Sequence, residues 1–71
     1  MAEEVRAEIV ATVLEVVARE GDHIGAGDTV VLLDSMKMEI PVLAEAAGTV
    51  ASVSVAVGDQ IQAGDLIAVI S

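Results

Sequence analysis

Apolar residues in this chain fall into short runs of branched aliphatic side chains, each bounded by glycine and aspartate. Runs of about 4–8 apolar residues between such turn residues indicate strands rather than helices. The best helical segment, residues 42–47, meets Gly48 after less than about two turns. The runs are residues 13–18, 30–33, 40–43, 50–57 and 67–70. The pattern therefore predicts an all-β fold.

The sequence contains an internal repeat. GDHIGAGD at residues 21–28 returns as GDQIQAGD at 58–65, an offset of 37 residues (58 − 21). The repeated Gly-Asp pairs are typical of turns. A solenoid usually needs about three repeats, so two copies favour a closed structure with pseudo-two-fold symmetry. We expect two small antiparallel sheets packed face to face, one half contributing to each, in a single domain over residues 1–71, because short gaps join antiparallel strands.

The segment between the two halves departs from ordinary turn chemistry. Only Asp34 to Glu39 separate the run ending at Leu33 from the next strand, so a tight hairpin is required. Its central pair is Met36-Lys37, whereas tight hairpins prefer Asn-Gly or Asp-Gly because both central residues need positive φ. Strain in a non-glycine residue costs on the order of 1–3 kcal/mol and persists mainly at functional sites. We therefore look for function at this turn.

Lys37 is the only lysine in the chain. A hairpin tip faces solvent, so its amine should be accessible. Met36 and Met38 flank it, and flexible, polarizable methionine suits contact with varying partners. Two simpler interpretations stay open from the residues alone: Lys37 is an ordinary solvated charge, and the methionines fold back onto the core.

Composition narrows the function classes. Twelve acidic and three basic residues give a formal net charge of −9, which disfavours nucleic-acid binding. The acid excess fits solubility or steering toward a basic partner. The absence of cysteine and the single histidine, His23, exclude disulfides and offer no metal site. His23 is an unconvincing catalytic base because its repeat counterpart is Gln60, and residues 3–4 are expected to form a frayed end.

The location and the core are also predicted from composition. An acidic start without an apolar stretch, and no apolar run near about 18 residues, predict a cytoplasmic protein without a membrane segment. Because Phe, Tyr and Trp are absent, the core must use Val, Ile, Leu, Ala and Met.

The segment SMKMEIP, residues 35–41, resembles the biotinyl-attachment motif of biotin carboxyl carrier proteins, usually Ala-Met-Lys-Met. From about Ala7 to Ile70 the chain resembles the biotinyl/lipoyl attachment family, above all its small free-standing biotinylated proteins of bacteria. The resemblance implies a flattened β-barrel or sandwich, a barrel-sandwich hybrid, with the lysine on a protruding β-hairpin turn. One departure concerns the first turn, where residues 10–13 read VATV although the family often has Pro and Gly before Thr-Val.

The resemblance also implies a function. Biotin protein ligase would join biotin to Lys37 through an amide, and the biotin would carry carboxylate between biotin carboxylase and carboxyltransferase subunits. Met36 and Met38 would affect the handling of biotin, Ser35 takes the place of the common Ala, and Glu39 is either read by the ligase or solubilises the tip. The protein itself would be a non-catalytic monomeric carrier.

Two alternatives remain. A lipoyl carrier shares the fold and the lysine, but its motif has Asp before the lysine and usually Ala or Val after it, so Met36 and Met38 argue against it. The other alternative is an interaction or regulatory module in which Lys37 stays unmodified.

Overall fold

In the computed structural model, which describes residues 2–71, the chain forms eight short strands and no helix. They make two four-stranded antiparallel sheets, in the orders β1-β8-β6-β3 and β5-β4-β2-β7. The prediction of an all-β fold with two antiparallel sheets is therefore confirmed. The strands are β1 Glu3–Arg6, β2 Ala11–Val16, β3 His23–Ile24, β4 Thr29–Ser35, β5 Met38–Leu43, β6 Gly48–Val53, β7 Gln60–Ile61 and β8 Leu66–Ile70.

The repeat appears in the fold as strands β1–β4 followed by strands β5–β8. Each sheet contains two strands from each half, so the expectation that one half contributes to each sheet is wrong. The reason lies in the turn at residues 36–37. It is so short that β5 must pair with β4, which places the start of the second half in the sheet of β2 and β4. Pseudo-symmetry then places β1 beside β8 in the other sheet.

Four turns of one kind confirm the Gly-Asp turn prediction. In each, a glycine with φ between 90° and 93° precedes an aspartate whose Oδ2 accepts a backbone N–H three residues earlier. The Gly25 N–H lies 2.7 Å from Asp28 Oδ2, and the Gln62 N–H lies 2.9 Å from Asp65 Oδ2. Glycine adopts this left-handed conformation without a steric penalty. The four glycines are Gly21, Gly27, Gly58 and Gly64.

The core consists of Val, Ile, Leu and Ala side chains from both sheets. The largest fully buried residues are Leu33, Ile67, Ile70, Val13, Val30, Val31 and Val50. Among the described residues no methionine is buried, so the expected contribution of Met to the core is wrong. The two described methionines lie instead at the hairpin, where they are exposed.

Several short elements were not predicted. Residues 3–4, expected to fray, belong to β1, and the half-buried Glu3 carboxylate accepts the N–H groups of Glu45 and Ala46, each at 3.2 Å. Strands β3 and β7 have two residues each, too few for any hydrophobic pattern. Strands β2 and β6 end at Val16 and Val53, so the apolar runs that were expected to reach residues 18 and 57 continue beyond the strands into the connecting segments.

Two individual positions, Pro41 and Ala11, can be understood from the strands in which they lie. Pro41 has no N–H to donate, which suits an edge strand, and β5 is the edge of its sheet. Ala11, which stands where the family often has glycine, opens β2 and is buried. Strand β2 therefore forms without a glycine at its first residue.

Candidate functional site at the Met36–Lys37 turn

The turn between β4 and β5 is a two-residue hairpin turn. The strands pair up to Ser35 and Met38, which leaves only Met36 and Lys37 in the connection. Their φ angles are 54° and 65°, both positive, as a type I′ turn requires. All other described residues with positive φ are glycines. The backbone strain expected from the sequence is therefore confirmed at these two positions.

The hairpin tip lies beyond its neighbouring strand. Strand β2 pairs with β4 only as far as Asp34, so the end of the hairpin, residues 35–38, has no third strand beside it. Met36 is 93% exposed, Met38 is 62% exposed, and Lys37 is exposed as well. The interpretation in which the methionines fold back onto the core is therefore wrong. An enzyme can reach the amine and both thioethers together without opening the fold.

The base of the turn has a polar tie and a pair of like charges. Ser35 Oγ donates a hydrogen bond to the Val10 carbonyl oxygen at 3.1 Å, which joins the hairpin to the segment before β2. Asp34 and Glu39 face each other across the ladder. Like charges in directly opposite positions destabilise a sheet by about 0.2–1 kcal/mol relative to a neutral pair. The positively charged Lys37 side chain extends into solvent from the turn that connects these two acidic positions, Asp34 and Glu39.

Sequence reasoning missed two apolar residues at this surface. Ile9 is 37% exposed and Val10 is 67% exposed. They line a shallow groove with Ser35, Met36 and Gln60. The repeat could have revealed them, because residues 9–10 correspond to a pair of small alanines at residues 46–47 (9 + 37 and 10 + 37). A large apolar pair in one copy only, at an exposed bend, is the available signal.

The other polar candidates make structural hydrogen bonds. His23 is exposed on β3, and its Nδ1 lies 3.0 Å from Thr49 Oγ1 on β6. The carboxylates of Asp22 and Asp28 accept backbone N–H groups in their own turns. Within residues 2–71, no group of three or more His, Cys, Asp or Glu side chains could hold a metal ion. Nor does this part of the chain contain a helix that is long and apolar enough to cross a membrane.

Comparison with known families identifies the fold. The model of a biotin/lipoyl family, described as "Biotin-requiring enzyme", matches residues 3–70. The chain belongs to this biotin/lipoyl family. Solved structures agree: the urea carboxylase of Kluyveromyces lactis superimposes with a TM-score of 0.94 at 39% identity, over 100% of this chain and 6% of that one. The flattened barrel-sandwich architecture expected from the resemblance is confirmed.

Other relatives include both biotinylated and lipoyl proteins. The "Biotinylated protein TB7.3 homolog" of Mycolicibacterium smegmatis is 82% identical over 44 residues, or 62% of each chain. The match thus spans less than two thirds of that relative's length. The lipoyl domain of the 2-oxoglutarate dehydrogenase complex of Azotobacter vinelandii has a TM-score of 0.75 at 26% identity, over 87% of this chain and 78% of that one.

Proposed function

We propose that this protein is a biotin carrier and that Lys37 is its attachment residue. The observation behind this proposal is the position of the chain's only lysine, which lies in a strained and exposed two-residue turn between two exposed methionines. The family match and the relatives named as biotinylated proteins support biotin as the group attached. The structural neighbours that are carboxylase chains support carboxylase-type partners.

The residues present suit an amide-linked group. Lys37 offers a primary amine outside the protein body, and the surrounding side chains leave it accessible. Acylation by biotinyl-adenylate would form the amide C–N bond at Nζ and break the C–O bond to adenylate, releasing AMP and the two protons that the lysine ammonium group loses. Lys37 then loses its positive charge. Bound biotin would supply the ureido nitrogen that carries carboxylate between a biotin carboxylase and a carboxyltransferase.

The protein's own contribution is presentation of the group. The β4–β5 ladder fixes the start of the arm, and the hydrogen bond from Ser35 to the Val10 carbonyl oxygen holds the hairpin base. Tethering raises the local concentration of the attached group at each partner. We propose that Met36 and Met38 contact the ligase or the partner active sites, and that Glu39 is part of the surface the ligase reads. A non-catalytic, monomeric carrier in the cytoplasm completes the proposal.

Intact mass after incubation with a biotin protein ligase, biotin and ATP tests the attachment. We expect one biotinyl increment on the wild-type protein and none on Lys37→Arg, which keeps the charge and length but cannot be acylated in the same way. Met36→Leu is the matched control for the turn, since it keeps an exposed apolar side chain and the lysine. An increment on Lys37→Arg, or none on the wild type, would refute Lys37 as the attachment residue.

A lipoyl carrier is the second candidate, favoured by the similarity to the Azotobacter vinelandii lipoyl domain. Incubation with a lipoate ligase under the same conditions separates the two. A lipoyl increment with no biotinyl increment would replace our proposal. An interaction module with bare Lys37 is tested by streptavidin blotting of the protein from its native host, where an unmodified lysine in the presence of active ligase and ample biotin would favour that role.

A further inference from the structure

A groove separates the edge strands β1 and β5, which the pseudo-two-fold symmetry relates to each other. Its volume is about 480 Å³, within the range of about 300–1,000 Å³ that small-molecule sites occupy. Two sets of lining residues are related by the repeat. The first set is Glu3 with Glu45, and the second set is Ile40 with Glu8 and Ile9. The two sets correspond because each residue lies 37 positions from its counterpart, but their chemistry differs.

In the first set, the chain supplies its own hydrogen-bond acceptor. The carboxylate of Glu3 accepts the N–H of Glu45 through Oε2 and that of Ala46 through Oε1, both at 3.2 Å. The bend at residues 44–47 therefore presents two adjacent N–H groups toward the groove, and it binds a pair of oxygens there.

The bend at residues 7–10 has the same backbone arrangement. Ala7 donates its N–H to the Asp65 carbonyl oxygen at 2.9 Å, just as Ala44 donates to the Asp28 carbonyl oxygen at 2.9 Å. In both copies the next two residues form a bend before the following strand. The bends at residues 8–9 and 45–46 are thus equivalent in conformation as well as in sequence position.

The acceptor is missing from the second set. Ile40 corresponds to Glu3 (3 + 37), and the register agrees because Ile40 pairs with Leu33 where Glu3 pairs with Ile70. Isoleucine cannot accept a hydrogen bond. Within the described chain, the N–H groups of Glu8 and Ile9 donate to no protein acceptor. This bend therefore presents two N–H donors over an apolar floor.

The donor pair lies within reach of Lys37. Ile40 is three residues further along β5, which is about 10 Å at the usual strand rise. A lysine side chain lengthened by the valeryl chain of biotin exceeds this distance. Met38 and Ile40 share one face of β5, since alternate residues of a strand point to the same side. Ser35, opposite Met38, points toward the same bend, as its hydrogen bond to the Val10 carbonyl oxygen shows.

We infer that this bend is a docking site in cis for the head of the group attached to Lys37. The inference rests on the proposed function. The ureido carbonyl oxygen of biotin accepts the N–H groups of Glu8 and Ile9, and the bicyclic ring packs on Ile9, Ile40 and Met38. The ureido oxygen accepts these hydrogen bonds without adding a negative charge beside Glu4 and Glu8, which line the same groove.

NMR of the 15N-labelled protein, with and without biotin on Lys37, tests the site. In the biotinylated form, we expect the amide protons of Glu8 and Ile9 to shift downfield and to exchange with solvent about 2- to 10-fold more slowly, as one net hydrogen bond implies. The amides of Glu45 and Ala46 already have an acceptor and should stay unchanged. Nuclear Overhauser effects between biotin ring protons and the Ile40 methyl groups should appear.

Two variants separate docking from general effects. Ile40→Glu places a carboxylate where Glu3 stands in the other copy, so it should occupy the donor pair and abolish the biotin-dependent changes. Glu3→Gln should alter the amides of residues 45–46 but leave the biotin-dependent changes intact. If Ile40→Glu does not fold, the Overhauser effects in the wild-type protein decide. Changes confined to residues 35–38, with no Overhauser effect to Ile40, would overturn the inference.

The loading step keeps this test independent of the ligase. An active ester of biotin acylates Lys37, the only lysine, without an enzyme, and it also modifies the α-amine. Lys37→Arg treated in the same way carries biotin on the α-amine alone and must lack the changes at residues 8–9. A protein that the ligase does not modify but that shows docking after chemical loading would refute the carrier proposal alone. A ligase-modified protein without docking would refute the site alone.

Discussion

Replacing Met36 by glycine should stabilise the protein. Met36 has a φ of 54°, and a left-handed conformation costs an L-residue about 1–2 kcal/mol. Glycine avoids this strain but loses about 0.5–1 kcal/mol more conformational entropy on folding. The side chain is 93% exposed, so little packing is lost. The net stabilisation is about 0.5–1 kcal/mol, which raises the Tm by about 2–8 °C in a domain of this size.

Thermal and urea unfolding of Met36→Gly, measured against Met36→Ala, test this reasoning. Alanine removes the same exposed side chain but keeps the strained φ, so it should leave the stability near that of the wild type. The urea midpoint of the glycine variant should rise while the slope stays constant, since the exposed surface does not change. A glycine variant no more stable than the alanine variant would show that the turn stores no strain at Met36.

Two further predictions concern positions away from the tip and beside it. Gly48→Ala should destabilise the fold by about 1–3 kcal/mol through overpacking, because a Cβ there would lie 2.5 Å from the Ser71 carbonyl oxygen. Urea unfolding measures this, with Gly25→Ala as the control because a Cβ at residue 25 meets only ordinary contact distances. Equal urea midpoints for the two variants would contradict the clash. Glu39→Gln should stabilise by about 0.2–1 kcal/mol by removing the like charge opposite Asp34. High salt should shrink that difference by screening, and a difference that persists in salt would point to another cause.

The sequence alone selected the candidate site, although it did not determine how the strands are distributed between the two sheets. One lysine in the whole chain, a turn without glycine and two adjacent methionines were enough to select residues 36–38. The positive φ of both central residues followed as well, because a type I′ hairpin turn requires it at both positions. Only the exposure of Met36 and Met38 needed coordinates, since a methionine beside a strand can pack inward or outward.

The repeat alone determined how many similar units fold and where their turns lie. Glycine and aspartate act locally, so the four turns could be inferred from the pattern around them. The contribution of each half to both sheets could not be inferred from the repeat. It follows from the pairing of β5 with β4 across the turn at residues 36–37, combined with the closure that brings β1 against β8.

The groove and its donor pair were decided only by the tertiary structure. The sequence shows Glu3 and Ile40 at the same offset as every other repeated position, but it does not show what either side chain faces. Folding brings the bend at residues 44–47 against Glu3 and leaves the bend at residues 7–10 beside Ile40. Contacts between residues about forty positions apart depend on how the sheets close over the core. Local pattern therefore fixes strands and turns, whereas the partner of each bend is fixed by packing.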